Sequence, residues 1–426
     1  MNQLQLFQPK QFPQELFGNE YITLDPYHVL SEKSTGPIEF VLKENKDYID
    51  LQETVLRIKC KIVNADYTAI PVPAKAGDDH VSFVNNAMHS LFSDVILLIN
   101  DKRVEGGDKM YPYKAYMNTV FRYSKETQEG QLFSVGFIRD DATKMEDVSN
   151  AAFLKRKTWT DLGATKEFIG KLHLGMFNQE RLLVPGADLH LKLERAKDTF
   201  SIFNANPTLR PRVIIESAVL ELMTVKVNPQ LMNYHAQMLA KGIPAEYPYH
   251  RVEMDVMTIR ENTLGDKQDF LFSGQVPKYV IMVMVANSAM NGEYRRNPYN
   301  FKFFNATYID LTKDRHAVPF PPFEPDFANN NYLQEYMSVF QSNGLLGKNC
   351  ILPINYDEYK SGYTNLQWNL SDNRKGANSN PDPRGNLKIE VKFTTKTTEA
   401  INVVLYGIFD GSVMIFGDDT TVTNYN

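Results

Sequence analysis

The stretch GADLHLKLERAKDTF, Gly186 to Phe200, alternates strictly between apolar and polar positions. Leu189, Leu191 and Leu193 fall on one side; His190, Lys192 and Glu194 fall on the other. A period of two marks a β-strand with one buried face. Far down the chain, GNLKIEVKFTTKTT (Gly385 to Thr398) says nearly the same thing. There Leu387, Ile389 and Val391 oppose Lys388, Glu390 and Lys392.

Working outward from this pair, the two halves of the chain correspond. In the first half DVILLINDKRVEGG (Asp94 to Gly107) reads as strand, Asn-Asp turn and returning strand. YPYKAYMNTVFRY follows, with Tyr113, Tyr116, Met117, Val120 and Phe121 at i, i+3, i+4, i+7 and i+8 of a helix, and Pro112 suited to its first turn. In the second half a strand pair around Lys313–Asp314 precedes NNNYLQEYMSVFQSNG. Here Leu333, Tyr336, Met337 and Phe340 repeat the spacing, with Asn331 as the expected N-cap and Gly344 as the stop. VLRIKCKIV, VIIESAVLELMTVKV, RVEMDVMTI, KYVIMVMVA, FKFFNATYIDL and INVVLYGIF are further strands. Met117 to Met337 spans 220 residues and Leu189 to Leu387 spans 198, so the framework repeats while the loops differ in length. That pattern is a duplicated β-sandwich domain, not a short-period solenoid. PQLMNYHAQMLAKG reads as a short helix between the halves, with Leu231, Tyr234, His235 and Leu239 on one face. Periodicity by itself leaves the choice among sandwich types open.

Composition bounds the rest. The chain has 426 residues, 43% of them hydrophobic and 12% aromatic, enough for two large cores. A net charge of -5 and a pI near 6.0 disfavour direct coating of nucleic acid, which wants a basic face. Two cysteines, Cys60 and Cys350, build no disulfide framework; Cys60 sits in an alternating strand and reads as a buried thiol. MNQLQLFQPKQF lacks the basic-then-apolar form of a secretion signal, and the longest apolar run, Tyr279 to Ala286, is far shorter than a membrane span. The expectation is a soluble protein of the cytosol or nucleus, and the Asn305 and Asn369 sequons are discounted accordingly.

No reactive constellation emerges. The histidines, at 28, 80, 89, 173, 190, 235, 250 and 316, include no pair two to four apart, so the His-x-His of a metal-binding jelly roll is missing; a site assembled from distant strands stays open. There is no Gly-x-Ser-x-Gly elbow, phosphate loop or His-Glu-x-x-His. RDDATKMED (Arg139 to Asp147) clusters acids without calcium-loop spacing and reads as a solvated loop. AVPFPPFEPDF (Ala317 to Phe327) reads as an extended connector. No catalytic, cofactor-binding or metal-binding residue is assigned, no cofactor is expected, and the chain reads as a building block rather than an enzyme.

Six stretches carry a family resemblance: GPIEFVLKENKDYIDLQETVLRIKCKI (Gly36 to Ile62), HSLFSDVILLINDKRV (His89 to Val104), YPYKAY (Tyr111 to Tyr116), FNQERLLVPGADLHLKLERAKDTF (Phe177 to Phe200), GQVPKYVIMVMVANSAMNGEYRRNPYNFKFFN (Gly274 to Asn305) and GYTNLQWNLSDN (Gly362 to Asn373). In this order they resemble the double jelly-roll major capsid protein of Maverick/Polinton elements and adintovirus-like DNA viruses. The resemblance implies an all-β fold of two tandem eight-stranded jelly rolls, each with a short decorating helix. It implies a homotrimer whose six jelly rolls form a pseudo-hexagonal capsomer, tiling an icosahedral shell around double-stranded DNA. The implied partners are neighbouring capsomers, a single jelly-roll penton protein and minor or cement proteins, with no sequence-specific nucleic-acid contact. The implied location is the virion, with synthesis in the host cytoplasm or nucleus and no secretion.

The expected divisions are an N-terminal arm over 1–30, a first jelly roll over 31–227, a linker helix and connector over 228–250, a second jelly roll over 251–415 and a C-terminal tail over 416–426. The arm is polar and matches no family motif. Two other readings stand beside the capsid: a glycan-processing enzyme, which needs a carboxylate pair in a cleft between the domains, and a glycan-binding sandwich, which wants exposed tryptophans. Of the two tryptophans Trp368 reads as core, and Trp159 is the candidate for exposure.

Overall fold

The computed structural model describes residues 16–71, 80–314, 316–317, 321–346, 348, 352–371 and 384–424. Cys350, the first half of the expected arm and the last two residues of the expected tail lie outside the described residues. The first unit holds β1 (Leu16–Leu24), β2 (Ile38–Leu42), β3 (Tyr48–Val63), β4 (Val81–Phe83), β5 (Phe92–Ile99), β6 (Lys102–Glu105), β7 (Lys166–Gly170), β8 (Leu189–Arg195), β9 (Ile202–Asn204) and β10 (Arg212–Val227). The second holds β11 (Ala245–Ile259), β12 (Gly265–Gln268), β13 (Tyr279–Ala286), β14 (Ala306–Lys313), β15 (His316–Ala317), β16 (Leu366–Asn369), β17 (Leu387–Phe393), β18 (Ile401–Ile415) and β19 (Thr421–Asn424). Three longer helices join them: α1 (Tyr111–Arg122), α2 (Pro229–Ala240) and α3 (Leu333–Ser342).

The sheets run β1-β10-β3-β7 and β2-β8-β5-β6 in the first unit, β11-β18-β13-β16 and β12-β17-β14-β15 in the second. The ribbon β4-β9 and the edge strand β19 stand outside this pattern. With these set aside, the strands of either unit, counted along the chain, give the orders 1-8-3-6 and 2-7-4-5. Both units are jelly rolls. The opening stretch is strand 7 in each, central in its sheet: β8 lies between β2 and β5, and β17 between β12 and β14. Leu189, Leu191, Leu193, Leu387, Ile389 and Val391 are all buried in the core, while the lysines between them stay at the surface.

Local chemistry explains the punctuation. Asn100 and Asp101 both take positive φ, 49° and 60°, which the two-residue turn between β5 and β6 requires. Asn228 caps α2 by accepting from the Gln230 amide at 2.9 Å, and Gly242 leaves that helix at φ 77°. α1 opens with Pro112 in its first turn.

Four expectations change. Residues 16–24 are strand 1 of the first jelly roll rather than part of an arm: β1 is a mostly exposed edge strand paired to β10, so it carries no apolar period. The second jelly roll begins at Ala245, six residues before Arg251. AEYPYH contains Pro248, which is tolerated because β11 is an edge strand, and Ala245, Tyr247 and Tyr249 alternate inward. The tail from 416 ends in β19, which pairs with Ser412–Ile415 of β18. Asn331 does not cap α3; Tyr332 occupies that position, and Asn331 instead pairs with Asp326 through two backbone hydrogen bonds of 2.8 Å.

Leu191→Ala and Ile389→Ala should each destabilise the protein by about 2–5 kcal/mol through the cavity left in their cores. Lys192→Ala, on the opposite face of the same strand, should cost about 1 kcal/mol or less. Urea unfolding midpoints for the three variants check the assignment of faces.

Candidate functional site

The feature that distinguishes this chain from two independent sandwiches is the seam between its jelly rolls. It is built around α1. Ten of the twelve residues of this helix are buried, because its own unit covers one side and the second unit covers another. Tyr116 stacks on Tyr299 with ring centroids 3.9 Å apart and planes within 8°. Tyr113 meets the same ring edge-on at 5.8 Å, and Phe301 contacts Tyr113, Tyr116 and Phe121. The Tyr299 hydroxyl shares a 2.6 Å hydrogen bond with Ser90. Aromatic contacts of this kind contribute beyond their buried area.

Polar groups then fix the register of one unit on the other. Arg139 donates to Glu358 at 2.8 Å and to the Pro353 carbonyl at 3.0 Å, and its guanidinium lies 4.3 Å above the Tyr363 ring. Tyr363 donates to the Asp140 carbonyl at 2.8 Å, and Asn297 donates to that of Met145 at 2.9 Å. The Asp140 carboxylate is buried against Arg156 at 2.9 Å and accepts from Asn85 at 2.8 Å. The acidic stretch Arg139–Asp147, read from sequence as a solvated loop, is therefore part of the seam at Arg139, Asp140, Met145 and Glu146, the last pairing with Arg296 at 3.6 Å. Its alternation of charge gave no hint of this, because the partners Glu358 and Tyr363 come from the other unit.

At the other side of the seam the first unit meets β11. The Val184 amide donates to the Tyr247 hydroxyl at 3.0 Å. A Cβ on Gly175 would lie 2.3 Å from the His250 carbonyl oxygen, so only glycine allows this approach. Glu105 organises the same corner: it accepts from the Gly175 and Met176 amides at 2.9 and 2.8 Å and pairs with buried Lys114 of α1 at 3.3 Å. A cleft of about 730 Å³ opens here, lined by Lys114, His173, Arg181, Glu246, Asp410 and neighbours. Asp410 is ion-paired with Lys278 and lies 3.3 Å from the His250 ring.

The histidines come together without a metal geometry. His89 and His173 stack edge-to-face at 4.6 Å, and His89 shares a 2.9 Å hydrogen bond with Tyr111. His235 of α2 shares one of 2.6 Å with Tyr48. Among the described residues no group of three His, Cys, Asp or Glu side chains is arranged to hold a metal ion. Burial lowers the pKa of all three rings, with His173 (beside Lys114) and His235 brought to about 4 and His89 well below its usual value. Cys60 is buried, and that burial pushes its thiol up. Trp368 is core, as expected. Trp159 is half-buried, packed on Phe133 and Phe168, and offers no open platform for a sugar.

Known proteins share this architecture. The chain matches the solved cryo-EM structure of the Sputnik virophage over its whole length and 92% of that chain, with a TM-score of 0.66 at 11% identity. It matches the Faustovirus major capsid protein over 96% of this chain and 92% of that one (TM-score 0.55, 9% identity), and the mavirus major capsid protein over 95% and 90% (TM-score 0.53, 11% identity). The fold is a double jelly roll. In sequence the chain is 23% identical, over 386 residues, to an uncharacterized Caenorhabditis elegans protein, covering 89% of this chain and 91% of that protein. No protein-family model matches it.

Asp140→Ala should destabilise the protein by about 3–5 kcal/mol, because it leaves the Arg156 guanidinium buried without its carboxylate. Thermal midpoints against wild type check this. The three depressed histidines give stability that is complete above pH 6.5 and is lost as the pH falls toward 4, at about 1.4 kcal/mol per pH unit for each ring. A melting-temperature profile from pH 8 to pH 4 should be flat above pH 7 and should fall below pH 6.5, and His173→Gln should make that fall shallower.

Proposed function

We propose that this chain is a major capsid protein, and that it works as a homotrimer whose six jelly rolls form a pseudo-hexagonal tile. The observation that carries this reading is the repeat itself: two jelly rolls of identical strand order, joined by a buried aromatic seam and the Arg139–Glu358 pair. A hexagonal tile wants six similar wedges, and a chain carrying two wedges reaches six on a three-fold axis. Likeness in fold to the mavirus and Faustovirus major capsid proteins over nearly the full chain supports the same role.

The finer reading follows from the six sequence stretches. It is a Maverick/Polinton or adintovirus-like element with double-stranded DNA, whose shell has a separate penton protein at its vertices and is assembled in the host cytoplasm or nucleus. In this reading the protein has no catalytic role. The first jelly roll forms one wedge and the second the other, with α2 as the connection between them. The unequal loops distinguish the two wedges, at the outer surface and between neighbours.

Light scattering on a sizing column tests the proposal. Three chains of 48.8 kDa give a species of about 146 kDa, and negative-stain images of that peak should have a hexagonal outline. A protein that stays monomeric under all assembly conditions, including co-expression with the penton protein, would sink it.

A further inference from the structure

α1 and α3 occupy the same place in their jelly rolls, the connection between strands 5 and 6, and their last residues, Arg122 and Ser342, are 220 positions apart. That is the offset of Met117 to Met337, so their apolar stripes correspond residue by residue. Tyr113 matches Leu333, Tyr116 matches Tyr336, Met117 matches Met337, and Val120 matches Phe340. The environments differ. Tyr113, Tyr116, Met117 and Val120 are at most 2% exposed, whereas Leu333 is 58% exposed and Tyr336, Met337 and Phe340 are each partly open.

α3 turns its other face to its own unit: Glu335, Ser338, Val339 and Ser342 are buried, and the Ser338 and Ser342 hydroxyls are satisfied by the Glu335 and Gln367 carbonyls at 2.7 and 2.6 Å. The helix thus carries polar residues inward, while its apolar stripe is only partly covered by its own unit: Tyr336 packs on Tyr356 and Tyr359 and donates to the Ile354 carbonyl at 3.2 Å, and Leu333 is left open, as is Leu346 beyond the helix at 53% exposure. Such an inversion marks a contact surface.

The molecule itself shows what covers this stripe in its counterpart. In the first jelly roll the cover is the second jelly roll, through Tyr299 and Phe301. We propose that the outward stripe of α3 is covered in the same way by the first jelly roll of a second copy of this chain. The inference rests on the trimer reading and names the contact that closes it. A head-to-tail contact of this kind closes into a ring, and three chains that each repeat their own seam bring six units around one axis.

The test is the double substitution Leu333→Glu with Met337→Glu, at positions open enough for the monomer to keep its fold. Wild type should run near 146 kDa and the variant near 48.8 kDa, with unchanged circular dichroism and assembly weakened about a hundredfold or more. As a second readout on unaltered protein, amide exchange over Leu333–Ser342 should be slower in the trimer than in dissociated chains. A folded variant that still forms a full-strength trimer, or a helix whose exchange ignores assembly, would overturn this contact and leave the trimer reading standing. A wild type that never leaves the monomer would overturn both.

Discussion

The structure depends on one helix being sandwiched between two sheets systems that belong to different repeats. α1 cannot be wet on its outer side, because Tyr113, Tyr116 and Phe121 point there and together present a large apolar area. The second jelly roll supplies Tyr299 and Phe301 to cover them, and this fixes how the repeats sit. The second unit is shaped by the same contact. β18, beside β13, is buried over almost its whole length, and Tyr406 in it donates to Asn118 of α1 at 3.1 Å. β13 is buried at all eight positions and so reads as an unbroken apolar run rather than an alternating strand.

Around that apolar centre lies a ring of buried polar groups. Arg156–Asp140 and Lys114–Glu105 are nearly free of solvent, and their desolvation offsets much of their attraction. They set the first unit's side of the seam; the contact that depends on how the repeats sit is Arg139, which a shifted seam would part from Glu358, the Pro353 carbonyl and the Tyr363 ring. In the proposed tile, two wedges held at a set angle have a use for contacts that penalise every other angle.

In the proposed tile, quasi-equivalence links the seam to assembly. The two repeats share their strand order but not their surroundings, so the corresponding stripe is fully buried in one and partly open in the other. The chain contains one completed seam and, at α3, half of a similar one. That asymmetry is what a duplicated wedge requires when only alternate contacts in a ring are made within a chain.

The alternation at Leu189–Leu193 and Leu387–Val391, the paired helices with their 220-residue offset, and the short helix from Pro229 were all legible in the sequence, because each is a local pattern whose period follows from backbone geometry. β1 and the start of β11 were not, since edge strands bury too little to carry a period and one of them contains Pro248. Nor was the seam. Arg139 and Asp140 sat in what looked like a solvated acidic loop, and their burial is decided by Glu358 and Tyr363, more than two hundred residues away. Sequence alone determined that there are two similar sandwiches and which face of each strand is apolar. Only the tertiary structure decided which of two corresponding helical stripes is fully covered, because exposure belongs to the neighbour as much as to the residue.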